Sequence, residues 1–489
     1  MASLVKTYNE EKLFGKIYTP QHIVEKILDD VGFSGSSILG KLIIDPACGD
    51  GQFLTEIVKR IIYNSPQADI KENLSAVYGW DIDQQAVKEC INNLNFLIKP
   101  LNISLVWNIS CCNSILNNNS TVKFDFIVGN PPYVRIQHLD TEMRQYLQKQ
   151  YICCKSGSTD LFIGFFELCY NLLGSNGKCG LITPNSYLFS NTARTLRNLL
   201  ITNGCIRQIT NFGHFQLFNL ASTYSAITIL SKEQSNDFLF EEAYSQFDFL
   251  SARIANDKLR ISKPWQLSVT KKVSSTGIRL GDIASISVGI TTLCDNAYIF
   301  KARWMNDKYM IVKSKLTEDF IIESDILKPI IKASTFKTIT TDLDFILFPY
   351  EIKGESYEII KEDKLKSVYP KAYEYLQTIK HILDRRDNGK PNQVGWYAFG
   401  RSQGLKVFKG KKLIFPPIAK KPTFIVDDSE SIFYSGYCIR YNGDIEALAS
   451  ELNSQKMEDY ISVSARDFRG GYKAYNKTVV QEFCLAEKV

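Results

Sequence analysis

Between Lys41 and Leu230, short β-rich apolar runs alternate with segments whose apolar residues recur at helical spacing. A parallel sheet covered by helices satisfies this rhythm, and an all-helical or all-β fold does not. The runs at 41–45, 76–81, 124–129 and 178–183 are predicted strands, each ending in a polar or Gly/Pro turn. Helices are predicted over 52–63, 84–97, 160–173 and 192–202. Thr19 and Pro20 supply an N-cap and a first-turn proline for an earlier helix ending at Asp30. The alternation stops near Leu230. The stretch to about Lys272 is polar and irregular, and beyond it Lys, Gly and aromatic residues increase without the βαβ pattern. The expected organisation is therefore an α/β domain over 1–235, a linker over 236–272 and a mixed α+β domain over 273–489. The segment 137–158 follows a strand end of chemical interest and reads as a mobile loop over a site.

A chain of 489 residues is long enough for two to three cored domains, and its 29 Phe, 25 Tyr and 5 Trp exclude disorder as the main state. The most apolar run, 161–166, stops at Glu167, short of a membrane span, and residues 1–12 hold no signal-peptide core. A cytoplasmic location is expected. The twelve cysteines form no CxxC, and only four histidines are present to complete a zinc set, so reduced thiols without a structural metal are expected. Net charge is +6, almost all of it carried after Leu230, which permits a polyanionic partner without selecting one.

The string Asp45-Pro-Ala-Cys-Gly-Asp-Gly-Gln-Phe-Leu54 joins the first strand to the first helix, and Gly49 and Gly51 let backbone approach a ligand closely. The next strand ends in Gly79-Trp-Asp-Ile-Asp83. That puts Asp81 at the neighbouring carboxyl edge, where an acid can take both ribose hydroxyls. No GxGxxG or GKS follows, so the expected ligand is a nucleoside without a pyrophosphate, and S-adenosylmethionine suits this better than NAD or ATP.

Together with Asn130-Pro-Pro-Tyr133, these strings resemble the gamma-class (TaqI-type) adenine DNA methyltransferases of restriction-modification systems, over the first 230 residues. The resemblance implies a Rossmann-like, S-adenosylmethionine-dependent methyltransferase domain followed by a C-terminal target-recognition domain. Phe14-Gly-Lys-Ile-Tyr-Thr-Pro20 stands where the family has the motif that touches the methionine part of the cofactor, with Tyr18, Thr19 and Pro20 the matching positions. Asp45, Pro46, Ala47, Cys48, Gly49, Gly51, Asp81 and Ile82 match the cofactor loops, together with Asn113, Ser114 and Asn130. Asn113 departs from the acid usual at its position, and its amide oxygen can still accept a hydrogen bond.

By the same resemblance, the Asn130 side-chain oxygen and the Pro131 carbonyl accept hydrogen bonds from the amino group of a flipped adenine, whose nitrogen is otherwise a poor nucleophile. Pro131 and Pro132 stiffen the turn, and the Tyr133 ring offers a stacking face. The second wall of the base slot is expected to be Phe218, with Phe215 as the rival. Asp160 begins a family motif and also suits an N-cap. In the C-terminal half, Arg401 and Gln403 suit guanine and adenine edges. Lys406 and Lys412, among further lysines interleaved with Phe408, Phe415 and Phe424, suit phosphates beside an apolar platform, and Arg466 opens another DNA-facing loop.

The expected partner is double-stranded DNA, the expected state a monomer, and any cognate endonuclease a separate chain, because only 13 residues precede the first matching motif. A methyltransferase acting on RNA or on a protein glutamine, and a nonenzymatic DNA-binding specificity protein, are the alternatives.

Overall fold

The computed structural model describes residues 19–155, 159–218, 224–259, 264–271, 276–336, 344–353, 356–402, 404–405 and 410–485. It forms two compact units, Met1–Lys271 and Lys272–Val489. Tyr18, Gln403, Lys406 and Phe408 lie outside the described residues.

In the first unit, nine described strands make one mixed, mostly parallel sheet: β1 (Ile43–Asp45), β2 (Val77–Asp81), β3 (Asn108–Cys111), β4 (Phe124–Gly129), β5 (Leu173–Pro184), β6 (Ile206–Asn211), β7 (Ser225–Ser231), β8 (Asp237–Ala243) and β9 (Phe249–Ala255), in the order β3-β2-β1-β4-β5-β7-β6-β8-β9. Strands β1 to β5 run parallel, β7 is antiparallel to both β5 and β6, β8 is parallel to β6, and β9 closes the edge antiparallel to β8. Six longer helices cover it: α1 (Gln21–Asp30), α2 (Gln52–Asn64), α3 (Gln84–Ile98), α4 (Thr141–Gln150), α5 (Leu161–Leu172) and α6 (Arg194–Thr202).

Successive β1 residues serve opposite faces. Ile43 packs into the core with α1, α2 and α3, while Ile44 packs into the core with α4, α5 and α6. On α1, Ile23, Val24, Ile27 and Leu28 recur at helical spacing and are all buried, each worth about 1.5–3 kcal/mol. Gly180 of β5 lets α1 come close, since a Cβ there would lie 2.8 Å from both Ile27 Cγ2 and Val31 Cγ1.

Three sequence expectations need correction. The segment 236–272 is not a linker: its residues 237–255 supply β8 and β9, and the unit boundary falls at 271/272. The segment 137–155 lies over the site as expected, with Leu139 and Met143 at the cavity, but it is not an irregular loop: it contains α4 and places Leu147, Tyr151, Cys153 and Cys154 in the core, and Glu167 accepts from the amides of Ile152 (3.0 Å) and Cys153 (2.8 Å). Thr19 does not cap α1 either; Pro20 holds the N-cap position with no side-chain capping bond.

The second unit is mixed α+β. Its largest described sheets have six strands and four, and helices such as Pro370–Thr378, Ile445–Leu452 and Gln455–Ser464 pack against two separate cores. The twelve cysteines form no disulfide. Among the described residues no cluster could hold a metal, and no helix is long and apolar enough to cross a membrane.

Candidate active site

The sheet reverses its winding between β1 and β4, with β2 and β3 to one side and β5 onward to the other. Such a reversal opens a crevice at the carboxyl ends of the strands. The residues at these ends are Asp45, Asp81, and Gly129 followed by Asn130.

The turn after β1 is tight. Cys48 donates its amide to Trp80 O (3.0 Å), Gly51 donates to Cys48 O (2.8 Å), and Gly49 donates to Asp81 Oδ2 (2.8 Å). Asp81 Oδ1 also accepts from the Asp83 amide at 2.9 Å, so a single carboxylate ties the glycine loop to the turn after β2. Gly51 has φ +94°, and a Cβ there would lie 2.8 Å from Cys90 Sγ on α3. Gly51→Ala is expected to cost about 1–3 kcal/mol from backbone strain and this overlap, read as a lower melting temperature.

Asp45 is 1% exposed, and its Oδ1 accepts from the Ala47 amide at 2.9 Å. Burial pushes its carboxyl up to about 8; the Ala47 bond opposes the rise, and the charge on Asp81 reinforces it. Gly129 lies directly against it, since a Cβ there would reach within 2.6 Å of Asp45 Oδ1. Close packing thus sets the end of β4 beside this buried acid.

The cavity over these strand ends is acidic. Asp45, Asp50, Asp81, Asp83 and Glu89 line it, and among its described lining residues there is no Lys, Arg or His. Such a wall repels phosphate and attracts a cationic ligand. Ile82 stands at the cavity with 64% of its surface exposed, ready to cover an apolar ring face. Opposite, the Ser114 hydroxyl donates to Pro46 O at 2.5 Å, and Asn113 Oδ1 caps its own turn by accepting from the Ile115 amide at 3.2 Å. Thr19, Ala47, Cys48, Gly49 and Asn130 also line the cavity.

Asn130 Nδ2 donates to Thr19 Oγ1 at 3.2 Å, linking the strand end to the start of α1. The Tyr133 hydroxyl donates to Ile182 O at 3.4 Å, and burial pushes its phenol well above the usual range. The Tyr133 ring meets Phe218 edge-on with centroids 6.5 Å apart; Phe218 is buried, whereas Phe215 is half-buried and stacks on His214 at 4.4 Å.

Leu139, Met143, Leu161 and Phe165 line the same cavity and carry no individual assignment in the sequence reading. They lie on and beside α4 and α5; Leu139 and Met143 fall in the segment expected over a site, and Leu161 follows Asp160 in the family motif. Asp160 does take the N-cap position of α5, with no side-chain capping bond to the helix, and the Leu161 amide donates to Val134 O at 2.7 Å.

In the second unit Lys412 is not a DNA-facing lysine. It is 1% exposed, pairs across the strands with Asp427, and bonds Asp427 Oδ2 at 2.7 Å and Ser429 O at 2.9 Å. Lys412→Ala is expected to cost about 3–5 kcal/mol by stranding a buried carboxylate. Melting would record the loss. Phe415 and Phe424 form no surface platform either: both are buried, with ring centroids 4.8 Å apart. Arg401 is half-exposed and held by Asp387 through two bonds of 3.1 and 3.2 Å. A small sheet of Ile418–Ala419, Tyr472–Ala474 and Asp467–Phe468 brings two of the basic segments together. On it Lys420 lies 5.2 Å over the Tyr472 ring, and exposed Arg466 lies 5.4 Å over the Phe468 ring.

Residues 75–218, which hold Asp81, Asn113, Asn130 to Tyr133 and Phe218, match the model of the Eco57I restriction-modification methylases. Beyond it, the chain is 26% identical to the Type II restriction enzyme and methyltransferase RM.Eco57I of Escherichia coli over 94% of its own length. It spans 55% of that relative. It is 24% identical to the Type II methyltransferase M.BanIII of Aneurinibacillus aneurinilyticus, over 88% of this chain and 80% of that one. Among solved structures, the Type IIL restriction-modification enzyme MmeI in complex with DNA aligns at a TM-score of 0.61 and 12% identity, over 94% of this chain and 64% of that one, and so shares the fold. The matched segment contributes the second and third strand ends of the crevice, while the Asp45 loop lies before it.

Proposed function

We propose that this chain is a site-specific DNA methyltransferase of a restriction-modification system, and that its target atom is the exocyclic amino nitrogen of adenine. The observation that carries the reading is the meeting, at one reversal of the sheet, of a cavity lined by five acidic side chains with an Asn-Pro-Pro-Tyr turn. The methyl donor is S-adenosylmethionine, whose sulfonium and ammonium charges suit an acidic cavity that would repel a nucleotide's phosphates. Asp81 and Ile82 would hold its nucleoside, and Asp45 and the Gly49 loop its charged end. Bound there, it supplies the electrophilic methyl group.

The chain's own residues then prepare the nucleophile. The Asn130 side-chain oxygen and the Pro131 carbonyl accept from the target amino group, drawing its lone pair out of conjugation with the ring. The Tyr133 ring stacks on the extruded base, and Phe218 stands beside it. A base with a tuned pKa is not required. The second unit supplies the contacts to duplex DNA, with Arg401, Arg466 and Lys420 among its exposed cations. The name of the Escherichia coli relative, which couples methyltransferase to restriction enzyme, and that of the matched restriction-modification methylase model support DNA as the substrate.

Nucleoside mass spectrometry tests the reading directly. Unmethylated DNA incubated with the protein and S-adenosylmethionine should yield N6-methyladenine. N4-methylcytosine alone would overturn the choice of base, and methyl transfer to RNA or protein but not to DNA would overturn the substrate.

A further inference from the structure

We infer that Thr19 is a positioning residue for methyl transfer, acting through Asn130 and not only as part of the cofactor cavity. The inference rests on the catalytic reading above.

The two residues are 111 positions apart, yet Asn130 Nδ2 donates to Thr19 Oγ1 at 3.2 Å, and Thr19 is 5% exposed. Packing fixes the hydroxyl. Pro20 O accepts from the amides of Ile23 (2.9 Å) and Val24 (3.1 Å), and the buried face of α1 rests on the sheet where Gly180 permits close approach. The partner side chain follows Gly129, itself wedged against Asp45. Both ends of the bond therefore sit on rigid elements, as an accurately held site needs.

An asparagine amide has two ends of opposite hydrogen-bonding sense: the oxygen accepts and the nitrogen donates. An adenine amino group offers hydrogens, so the amide does its work only with the oxygen toward the base. Turned by half a rotation, it would set donor against donor. A hydroxyl can accept as well as donate, and in accepting from Nδ2 Thr19 sends the carbonyl end to the other side of Cγ. Substrate and hydroxyl then favour the same rotamer, one through each end of the amide. This gives the N-terminal segment a part in chemistry as well as in binding.

The test compares Thr19→Val, which keeps the shape and loses the hydroxyl, with Thr19→Ser, which keeps the hydroxyl. Single-turnover methyl transfer to unmethylated plasmid DNA is measured at saturating S-adenosylmethionine, with cofactor affinity measured separately by calorimetry. At saturating cofactor Thr19→Val should slow the single turnover by on the order of 10- to 100-fold, a loss that further cofactor does not remove, and Thr19→Ser should restore most of the rate. In the Asn130→Ala background, Thr19→Val should cause no further loss. A Thr19→Val rate equal to wild type, or a loss that saturating cofactor removes, overturns the inference and leaves the functional reading standing. If Thr19→Val melts at the assay temperature, Thr19→Ala and Thr19→Ser are compared in its place under the same criteria. A wild-type chain that binds cofactor but transfers no methyl to DNA overturns the functional reading and this inference with it.

Discussion

Asn130→Ala should leave S-adenosylmethionine affinity within a few-fold of wild type while slowing methyl transfer by about 10²–10³-fold, the usual cost of losing one preorganised polar contact to a reacting group. The side chain follows the last residue of β4 and is only half-buried, so its removal opens no large cavity. The strand beneath it, from Phe124 to Gly129, keeps its pairing with β1 and β5. The residues that carry the cofactor reading have anchors of their own: Asp45 accepts from the Ala47 amide, and Asp81 accepts from the amides of Gly49 and Asp83. Calorimetry with cofactor and single-turnover transfer to DNA separate the two effects. Near-normal transfer would remove Asn130 from the catalytic role, and loss of cofactor binding in step with activity would make it a binding residue.

Replacing Asp45 by Asn should stabilise the cofactor-free protein at pH 8 by a few kcal/mol and leave its stability near pH 4 little changed. Burial is the main cause. It raises this carboxyl from an ordinary value of 3.8 to about 8. In the unfolded chain the group ionises near its ordinary value, so between about 4 and 8 the native state holds a proton that the unfolded state has lost. Stability from this group is therefore fully present below about pH 4 and is lost as the pH rises toward 8. Asparagine removes that slope, and melting curves of both proteins across the range would show the gap opening with pH.

The same shift predicts a proton signature on binding. A cationic ligand favours the ionised carboxylate, so S-adenosylmethionine should expel protons near pH 7 from wild type and not from Asp45→Asn. Titrations in buffers of different ionisation enthalpy detect this. Parallel pH profiles for the two proteins, with no buffer dependence in wild type, would contradict the account of Asp45.

The parts of the site legible in sequence are those that a parallel sheet places without help from tertiary detail. Each of β1, β2 and β4 is a short apolar run that stops at a polar residue, so Asp45, Asp81 and Asn130 fall on one edge once the strands are parallel. Segments whose burial is set across the sheet were harder. In β8, Phe238 and Phe240 are buried and alternate with more open neighbours, a period-two signal too short to stand out in a polar stretch. α4 buries only Leu147 among its ten residues, so its sequence resembles a loop. The burial of Lys412 is decided by Asp427, its partner on the neighbouring antiparallel strand, and nothing within a run of lysines distinguishes it from the solvated ones. The bond from Asn130 to Thr19 joins two motifs that sequence reading treats as separate.

The most direct test of the central claim is modification-sensitive long-read sequencing of DNA from a methylation-deficient host expressing this chain, with Asn130→Ala as control. The account predicts N6-methyladenine confined to one short sequence motif and absent from the control. Unmodified DNA, from cells in which the protein is folded and binds S-adenosylmethionine, would contradict it.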